Sequence, residues 1–305
     1  MPTLYPMSDS LSGPLETVNG WVQDPLAIPQ AVIELMDQDT IPEAVLRYGG
    51  LTRSGIVKYR ETDPAYSQDS PQIRQEFDEP TIMRGARGQA YTVSTEELAG
   101  SVLVSEEMRR REILDPLNKQ LTQATNSFKK TWGDRFRSTI FNHPRVQSYA
   151  CPQHWDSTTA QTRNDILSAK RLIKTAYPDG TNQYSRFGYS PDTLIIGEDA
   201  EQSLLASDEY NKIYQGNIAS ENPQYKGTLD NKVFGLNVLV DTFMPPGKAI
   251  MMQSKIAGAY VDEVPFTVDP THEWVDHYSW RTNFRRSSVC FLDAPKAVCV
   301  INGVS

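Results

Sequence analysis

The 305-residue sequence predicts an α+β protein that projects a long hairpin, and three patterns support this prediction. Two strand-like segments flank a polar stretch at residues 61–79. A stripe of apolar residues with helical spacing then runs for about 25 residues. Beyond it, helix-like and strand-like segments alternate, which is typical of an α/β domain.

Composition and charge exclude several classes of protein. Apolar residues make up 39% of the chain and charged residues 22%, which is ordinary for a folded soluble protein. The net charge of −8 argues against a protein that binds duplex nucleic acid through a basic face. The sequence shows neither a bilayer-spanning apolar run nor a signal-peptide pattern, so no membrane contact is expected. Three cysteines are too few for a disulfide framework and fit buried thiols in a reducing cytosol: Cys151, Cys290 and Cys299.

Residues 1–46 form an acidic, proline-rich segment. They contain seven acidic residues, six prolines and neither Lys nor Arg. Only IPQAVIELMDQD has a helical pattern, and Pro29 is placed to open that helix. Apolar residues recur along the segment, so we interpret it as an extended arm that docks on another surface, with disorder as the alternative.

The polar stretch ETDPAYSQDSPQIRQEFDE, residues 61–79, is predicted to be the tip of the hairpin. It contains six acidic residues and one arginine. The segments on either side, LTRSGIVKYR and PTIMRGARGQAYTV, are predicted to be its strands. An isolated two-stranded hairpin is marginal in water, so something must lie against this one.

Two helix starts are predicted after the hairpin. STEE at residues 94–97 supplies a capping residue and early acids, and SEEMRRREIL continues that helical region. Asp115 and Pro116 then fit the N-cap and first position of a fresh helix. At 1.5 Å per residue this helix would be about 37 Å long. Its apolar stripe consists of Leu117, Leu121, Ala124, Phe128, Trp132, Phe136 and Ile140.

The remaining segments predict further helices and strands. The helices are TRNDILSAKRLIKTAY and EDAEQSLLAS, and the turn Pro245-Pro246-Gly247 separates two of the strands. The predicted strands are PDTLIIG, NKVFGLNVLV, GKAIMMQ, KIAGAYV, HEWVDHYSWRTNFRRSSVCFLD and KAVCVING.

No catalytic, cofactor or metal motif is evident. His272 and His277 lie five apart in a strand-like segment, whereas a zinc protease needs its histidines four apart on a helix. Cys151 and His154 lack a second ligand pair at zinc spacing. We interpret Arg109–Arg111 as a solvated helix face, with an intersubunit ion-pair patch and phosphate binding as alternatives. Such a chain is predicted to be a structural building block rather than an enzyme, without cofactor or metal.

Three longer segments carry a resemblance to a known family. They are AYTVSTEELAGSVLVSEEMRRREILDPLNKQL, PDTLIIGEDAEQSLLAS and FGLNVLVDTFMPPGKAIMMQ. They resemble segments of tailed-bacteriophage major capsid proteins of the Hong Kong 97-like fold. The first resembles the passage from the hairpin to the spine helix, the second a strand–turn–helix unit, and the third two strands around a Met-Pro turn. The likeness in the order of parts covers nearly the whole chain.

The resemblance implies five regions. They are an N-arm at 1–48, an extended E-loop hairpin at 49–95, a peripheral domain with a long spine helix at 96–160, an axial α/β domain at 161–262, and return strands of the peripheral domain at 263–305.

The resemblance also implies partners and a location. The protein would assemble with itself into hexamers and pentamers of an icosahedral shell around double-stranded DNA, which it would hold non-specifically. Assembly would take place in the bacterial cytoplasm, and the final location would be the virion. A portal is implied, together with a separate scaffolding protein, because the segment before the hairpin is short; the N-arm is the alternative scaffold. Encapsulin-type nanocompartments share the fold and are the alternative function, followed by an enzyme of unrecognised class.

The resemblance directs attention to a few basic residues. Some family members bond an E-loop lysine to an asparagine of a neighbour, assisted by a glutamate. Lys58 is the first lysine of the chain and therefore the candidate for such a bond. Its candidate partners are Asn283 or Asn302, with Glu273 as the glutamate. The place of Lys58 on an arm of the hairpin nevertheless favours a surface or salt-bridging lysine. Intersubunit contacts are expected at Lys58 and, as basic counterparts of the acidic tip, at Arg109, Arg110, Arg111, Lys129 and Lys130.

Overall fold

The computed structural model describes residues 18, 22, 24–36, 40–63, 71–83, 87–111, 114–157, 159–178, 186–207 and 232–304. The chain divides into two compact units. The first unit comprises Met1–Asp39, Glu96–Thr131 and Val264–Ser287, and the second comprises Thr40–Thr95, Trp132–Glu263 and Ser288–Ser305. Half of the predicted N-arm and residues 64–70 of the acidic stretch lie outside the described residues. The five predicted regions stay a prediction.

Helices and strands are mixed along the chain, as predicted. The helices are α1 (Ala27–Met36), α2 (Ile41–Val45), α3 (Glu106–Arg111), α4 (Leu114–Phe141), α5 (Thr162–Lys174) and α6 (Glu198–Ala206). The strands are β1 (Arg47–Leu51), β2 (Ile56–Arg60), β3 (Ala90–Ser94), β4 (Glu96–Ser105), β5 (Gln147–Ala150), β6 (Thr193–Ile196), β7 (Lys232–Val233), β8 (Leu236–Val240), β9 (Lys248–Met252), β10 (Ala259–Val268), β11 (His272–Trp274), β12 (Ser279–Phe291) and β13 (Val298–Asn302). Short 3-10 turns span Val275–His277 and Pro295–Ala297.

The predicted long helix is confirmed as α4. It has 28 residues, or about 42 Å at 1.5 Å per residue. Six of the seven residues of the predicted stripe are buried: Leu117, Leu121, Phe128, Trp132, Phe136 and Ile140. Asp115 and Pro116 lie in the first turn of the helix rather than at its boundary. Proline is tolerated there because the first amides of a helix have no intrahelical acceptor.

The first unit has an apolar core around Phe128. Its ring meets Phe266 and Phe284 edge to face, at centroid distances of 5.3 and 5.7 Å. Such aromatic pairs are favoured over face-to-face sandwiches. The buried members of this core are Val18, Ile28, Ala31, Val32, Val102, Val104, Leu117, Leu121, Phe128 and Phe284.

The second unit contains a six-stranded sheet in the order β5-β13-β9-β6-β8-β7. β6 is buried at all four positions and lies between β8, which is parallel to it, and β9, which is antiparallel. The connection from β6 through α6 to β8 is thus a crossover between parallel strands. α5 packs against β5, β13 and β9. The predicted strand–helix alternation is confirmed in this sheet.

A buried ion pair joins α4 to this sheet. Arg137 on α4 donates to Asp241, which directly follows β8, and the two side chains are 5% and 4% exposed. A second guanidinium nitrogen of Arg137 lies 2.5 Å from Asp134. Removing Arg137 would leave the buried Asp241 carboxylate without its counter-charge, so the pair fixes this part of the helix.

The predicted helix start at STEE is wrong. Residues Glu96–Ser105 form strand β4, which pairs with β12, and the helix begins only at Glu106. Along β4 the burial alternates, with Val102 and Val104 fully buried. Alternate side chains of a strand point to the same face, so a strand buries Val102 and Val104 together. This burial outweighs the local signal for a helix cap.

Two segments predicted as single strands each reverse direction. NKVFGLNVLV divides into β7 and β8 at Phe234 and Gly235, whose φ angles of +50° and +76° suit a two-residue hairpin turn. The segment that starts at His272 divides into β11 and β12, which pair antiparallel across the 3-10 turn. Tyr278 closes that turn with a φ of +46°. Left-handed residues other than glycine are uncommon, so the conformations of Phe234 and Tyr278 are difficult to predict from the sequence.

The three cysteines carry free thiols. Cys290 and Cys299 are buried, and Cys151 is half-buried. Burial raises the pKa of Cys299 to about 12. Burial, with a smaller effect of the nearby Asp165 carboxylate, raises the pKa of Cys151 to about 12 as well. Since the thiolate is the reactive form, both thiols are unreactive near neutral pH.

We therefore predict that the folded chain reacts slowly with DTNB at pH 8. Unfolding in guanidinium should expose all three thiols to rapid reaction, and absorbance of the released thiolate measures both rates. The variant Gln202→Cys, at an exposed position of α6, is the matched control and should react at once. Rapid reaction of any native cysteine in the folded protein would contradict the burial described.

Candidate functional site at the hairpin and its root

The predicted hairpin is confirmed, with shorter strands than the sequence indicated. β2 and β3 pair antiparallel from Ile56 opposite Ser94 to Arg60 opposite Ala90. Leu51, which the sequence placed in the ascending strand, belongs instead to β1, which runs parallel to β10. The described residues 71–83, here called the outer segment, contain no strand. The hairpin is thus a short ladder that carries a long irregular extension.

One face of the ladder is covered by its own unit. Val57, Tyr59 and Val93 pack against a cluster formed by Ala259, Val261 and Phe291, and Val289 packs against the same cluster. The Tyr59 ring stacks on Phe291 with a centroid distance of 4.4 Å. This burial raises the pKa of Tyr59, with a smaller contribution from Tyr91. The expected cover for the hairpin is therefore supplied, for its ladder, by β10 and β12.

Beyond the ladder the two arms stay paired through residues 61–63 and 87–89, here called the root. The Glu61 amide donates to the Gln89 carbonyl at 3.0 Å. The Gly88 amide donates to the Asp63 carboxylate at 2.6 Å. A Cβ at Gly88 would lie 2.1 Å from the Glu61 carbonyl oxygen, so only glycine allows this close approach.

Arg145 binds both arms of the hairpin at the root. It lies between α4 and β5, and its Nη1 donates to the Glu61 carboxylate. Its Nη2 donates to the Gln89 side-chain oxygen at 2.9 Å. The Glu61 side chain is only 8% exposed. Glu61 was predicted to be one of the acids of the projecting tip, and this prediction is wrong. Glu61 is a buried member of an ion pair inside its own unit.

A second contact fixes the root to the chain that follows β12. The Thr62 amide donates to the Asp293 carbonyl at 2.7 Å. The Asp293 carboxylate accepts from Arg47 Nη2 at 2.8 Å. Desolvation raises the pKa of Asp293, although Arg47 opposes this shift. The root is therefore held by hydrogen bonds from two directions.

The outer segment presents large apolar side chains to solvent. Ile73 is 102% exposed, Phe77 94%, Ile82 72% and Met83 54%. Phe77 has a φ of +74°, and the Asp78 amide donates to the Gln75 carbonyl at 3.2 Å in the same turn. A cluster of exposed large apolar residues is typical of an interaction site. These apolar residues were not predicted as contact residues, although bulky apolar residues inside a polar loop were the available signal.

The six predicted contact residues occupy different surroundings. Arg109 lies 4.8 Å above the Trp280 ring and 3.6 Å from Glu106, and Arg111 lies 3.9 Å from Glu107. Lys129 Nζ donates to the Leu35 carbonyl at 2.7 Å. The other three side chains are exposed: Lys58 in β2, Arg110 in α3 and Lys130 in α4. α3 thus brings the three arginines together, and their role between subunits stays a prediction.

Neither metal binding nor membrane spanning has a structural basis in the part of the chain that the structure describes. No group of three or more His, Cys, Asp and Glu side chains there could hold a metal ion. No helix there combines the length and apolar character needed to cross a bilayer.

Comparison with known proteins agrees with this architecture. A family model described as "Phage capsid protein" matches residues 89–301, more than half of the chain. No curated protein matches the sequence.

Several solved structures share the fold at low sequence identity. A virus-like particle from Pyrococcus furiosus aligns with a TM-score of 0.60 and 12% identity, covering 90% of this chain and 98% of that chain. The capsid of the cyanophage P-SCSP1u aligns at 0.61 and 10%, covering 87% and 88%. The mature capsid of bacteriophage PhiM1 aligns at 0.60 and 8%, covering 87% of each chain. The chain therefore belongs to the phage capsid protein family and has the Hong Kong 97-like fold that the order of its parts predicted.

Proposed function

We propose that this capsid protein is the repeating subunit of an icosahedral shell, in which hexamers and pentamers enclose double-stranded DNA. One observation carries the proposal. The hairpin is fixed to its own unit at the root, while its outer segment exposes four large apolar side chains. A surface of this kind gains free energy when another subunit covers it, and in a shell protein the covering subunit is a second copy.

The free energies of the expected contacts fit an assembly in which single pairs of subunits bind weakly and a closed shell is stable. Full burial of one large apolar side chain contributes roughly 1.5–3 kcal/mol. Two or three such contacts only partly offset the loss of translational and rotational freedom on association, so single pairs of subunits bind weakly. A closed shell sums these contacts over many interfaces, and assembly then depends steeply on protein concentration. Unassembled subunits therefore stay dispersed until a shell can close.

The proposed regions follow the sequence prediction. Residues 1–48 would form the N-arm, 49–95 the hairpin, 96–160 and 263–305 the peripheral domain, and 161–262 the axial domain. A net charge of −8 fits a container that must not adhere strongly to packaged DNA. A portal and a scaffolding protein would be further partners, and the virion the final location.

An encapsulin-type shell around a cargo protein is the second candidate. The likeness in fold to a particle described as virus-like, from Pyrococcus furiosus, supports it, because such a particle is a protein shell without being described as a virus. The long outer segment favours the viral shell instead, since the hairpin of encapsulins is usually short. The contents of the particle separate the two functions.

The function is tested by expressing the chain in bacteria, alone and together with a scaffolding and packaging system. Electron microscopy should show closed icosahedral particles with hexameric and pentameric units. Particles loaded by the packaging system should protect double-stranded DNA from nuclease. Dispersed subunits under every condition would overturn the shell, and particles that retain only a protein cargo would favour the encapsulin-type function.

Replacing residues 64–86 with an Asn-Gly turn should impair assembly but not folding. Asp63 and Gly88 are already joined by a hydrogen bond, so a two-residue turn can close the root. The melting temperature of the unassembled subunit should shift by no more than about 4 °C. Light scattering should show at least a tenfold higher protein concentration for assembly, roughly the loss of one 1.4 kcal/mol contact. An unfolded subunit would instead place the outer segment in the core of its own chain.

Apolar residues of the outer segment should matter more for assembly than its acids. Ile73→Ser with Phe77→Ser should raise the protein concentration needed for assembly at least about tenfold, since losing the burial of even one such side chain removes roughly 1.5–3 kcal/mol. The matched control neutralises the acids of the same segment, with Glu76→Gln, Asp78→Asn and Glu79→Gln. Because exposed charges are screened by salt, this control should change the salt dependence more than the assembly concentration in physiological salt. The reverse ranking would show that the acids are the main determinants.

A further inference from the structure

We infer that Arg145 is a positioning residue that fixes the direction of the hairpin in the subunit before assembly. This inference deepens the proposed function and rests on it for the use of the hairpin. The direction matters because the ladder is short and the outer segment long, so a small rotation at the root displaces Phe77 by a larger distance.

Arg145 acts from outside the hairpin. It belongs to the connection between α4 and β5, and its amide donates to His143 Nδ1 at 3.3 Å within that connection. Its guanidinium reaches Glu61 on the first arm and Gln89 on the second. The planar fork of an arginine can serve two acceptors in fixed geometry, which a lysine ammonium on a flexible stem cannot. One side chain therefore restrains both arms against the same part of the unit.

The Glu61 carboxylate makes this restraint difficult to release. It is 92% buried, and its Oε1 has no hydrogen-bond partner among the described residues. The Tyr91 side chain also interacts with this carboxylate, but Arg145 supplies the positive charge that balances it. A buried carboxylate that loses its cation is strongly unfavourable and must move towards water. Since Glu61 is continuous with β2, that movement would draw the root away from its docked position.

The ladder is held by different interactions. Tyr59 and Tyr91 lie opposite each other, and the strict alternation of an antiparallel pair places their amides in hydrogen bonds across the hairpin. Phe291 supplies the hydrophobic cover of Tyr59 through the stacking of their rings. The Thr62 amide, by contrast, donates outside the hairpin, to the Asp293 carbonyl. Its protection from exchange thus reports on docking of the root, whereas that of the Tyr59 amide reports on the ladder.

Amide hydrogen exchange of the unassembled subunit, measured by NMR, tests the inference. In Arg145→Ala the Thr62 amide should exchange at least about tenfold faster than in the wild type, because the variant loses the charge-assisted hydrogen bonds that hold both arms at the root. The Tyr59 and Tyr91 amides should change by less than about twofold. Arg145→Lys should lie between, since it can keep one of the two contacts. Arg171→Gln, an exposed arginine on α5, is the matched control and should leave both sets of amides unchanged.

Two results would overturn the inference. Unchanged exchange at Thr62 in Arg145→Ala would show that the root is held without Arg145. Equal acceleration at Thr62, Tyr59 and Tyr91 would show that Arg145 maintains the ladder rather than its direction. Both are measured on subunits below the assembly concentration, so they are independent of shell formation. Failure of the proposed function would appear separately, as a wild-type protein that never forms particles.

Discussion

The ion pair between Arg145 and Glu61 connects the two parts of the hairpin that have opposite requirements. On one side the ladder needs a cover, and Tyr59 finds it on Phe291 within its own unit. On the other side the outer segment leaves Ile73 and Phe77 in solvent. A subunit can present such side chains to a neighbour only if the root holds them in place. The buried carboxylate of Glu61 and the fork of Arg145 meet that requirement at the boundary between the two parts.

The elements predicted correctly from the sequence are those whose signal is local. The apolar stripe of α4 repeats every three or four residues, and β6, with the apolar run Leu194–Ile196, is buried at every position. The wrong predictions concern segments whose structure depends on pairing or burial with residues far away in the sequence. β4 is a strand because it pairs with β12, far away in the sequence, and burial of Val102 outweighed the capping signal before it. The reversal at Tyr278 depends on a left-handed residue for which no glycine marks the place.

The candidate site was predictable only in outline. The alternating pattern on both sides of a polar stretch was sufficient to predict the hairpin. The pairing of Arg145 with Glu61 was not predictable, because the two residues are 84 positions apart and no periodic pattern relates them. Counting charges also placed the wrong emphasis on the outer segment, because solvent exposure of Phe77 is a property of the fold and not of composition. Likewise, the contacts of Arg109 with Trp280 and of Lys129 with Leu35 join residues from separate elements. Family membership, in contrast, was accessible through the order of the parts.

In the proposed shell the outer segment of one subunit lies on another subunit. The most direct measurement replaces Phe77 with the photoreactive analogue benzoylphenylalanine and irradiates assembled particles. A denaturing gel should then show a band at twice the 34.3 kDa subunit mass, and the same irradiation of unassembled subunits should not produce it. Mass spectrometry of that band would identify the covering surface. Efficient crosslinking confined to a single chain, in assembled particles as in free subunits, would contradict the account.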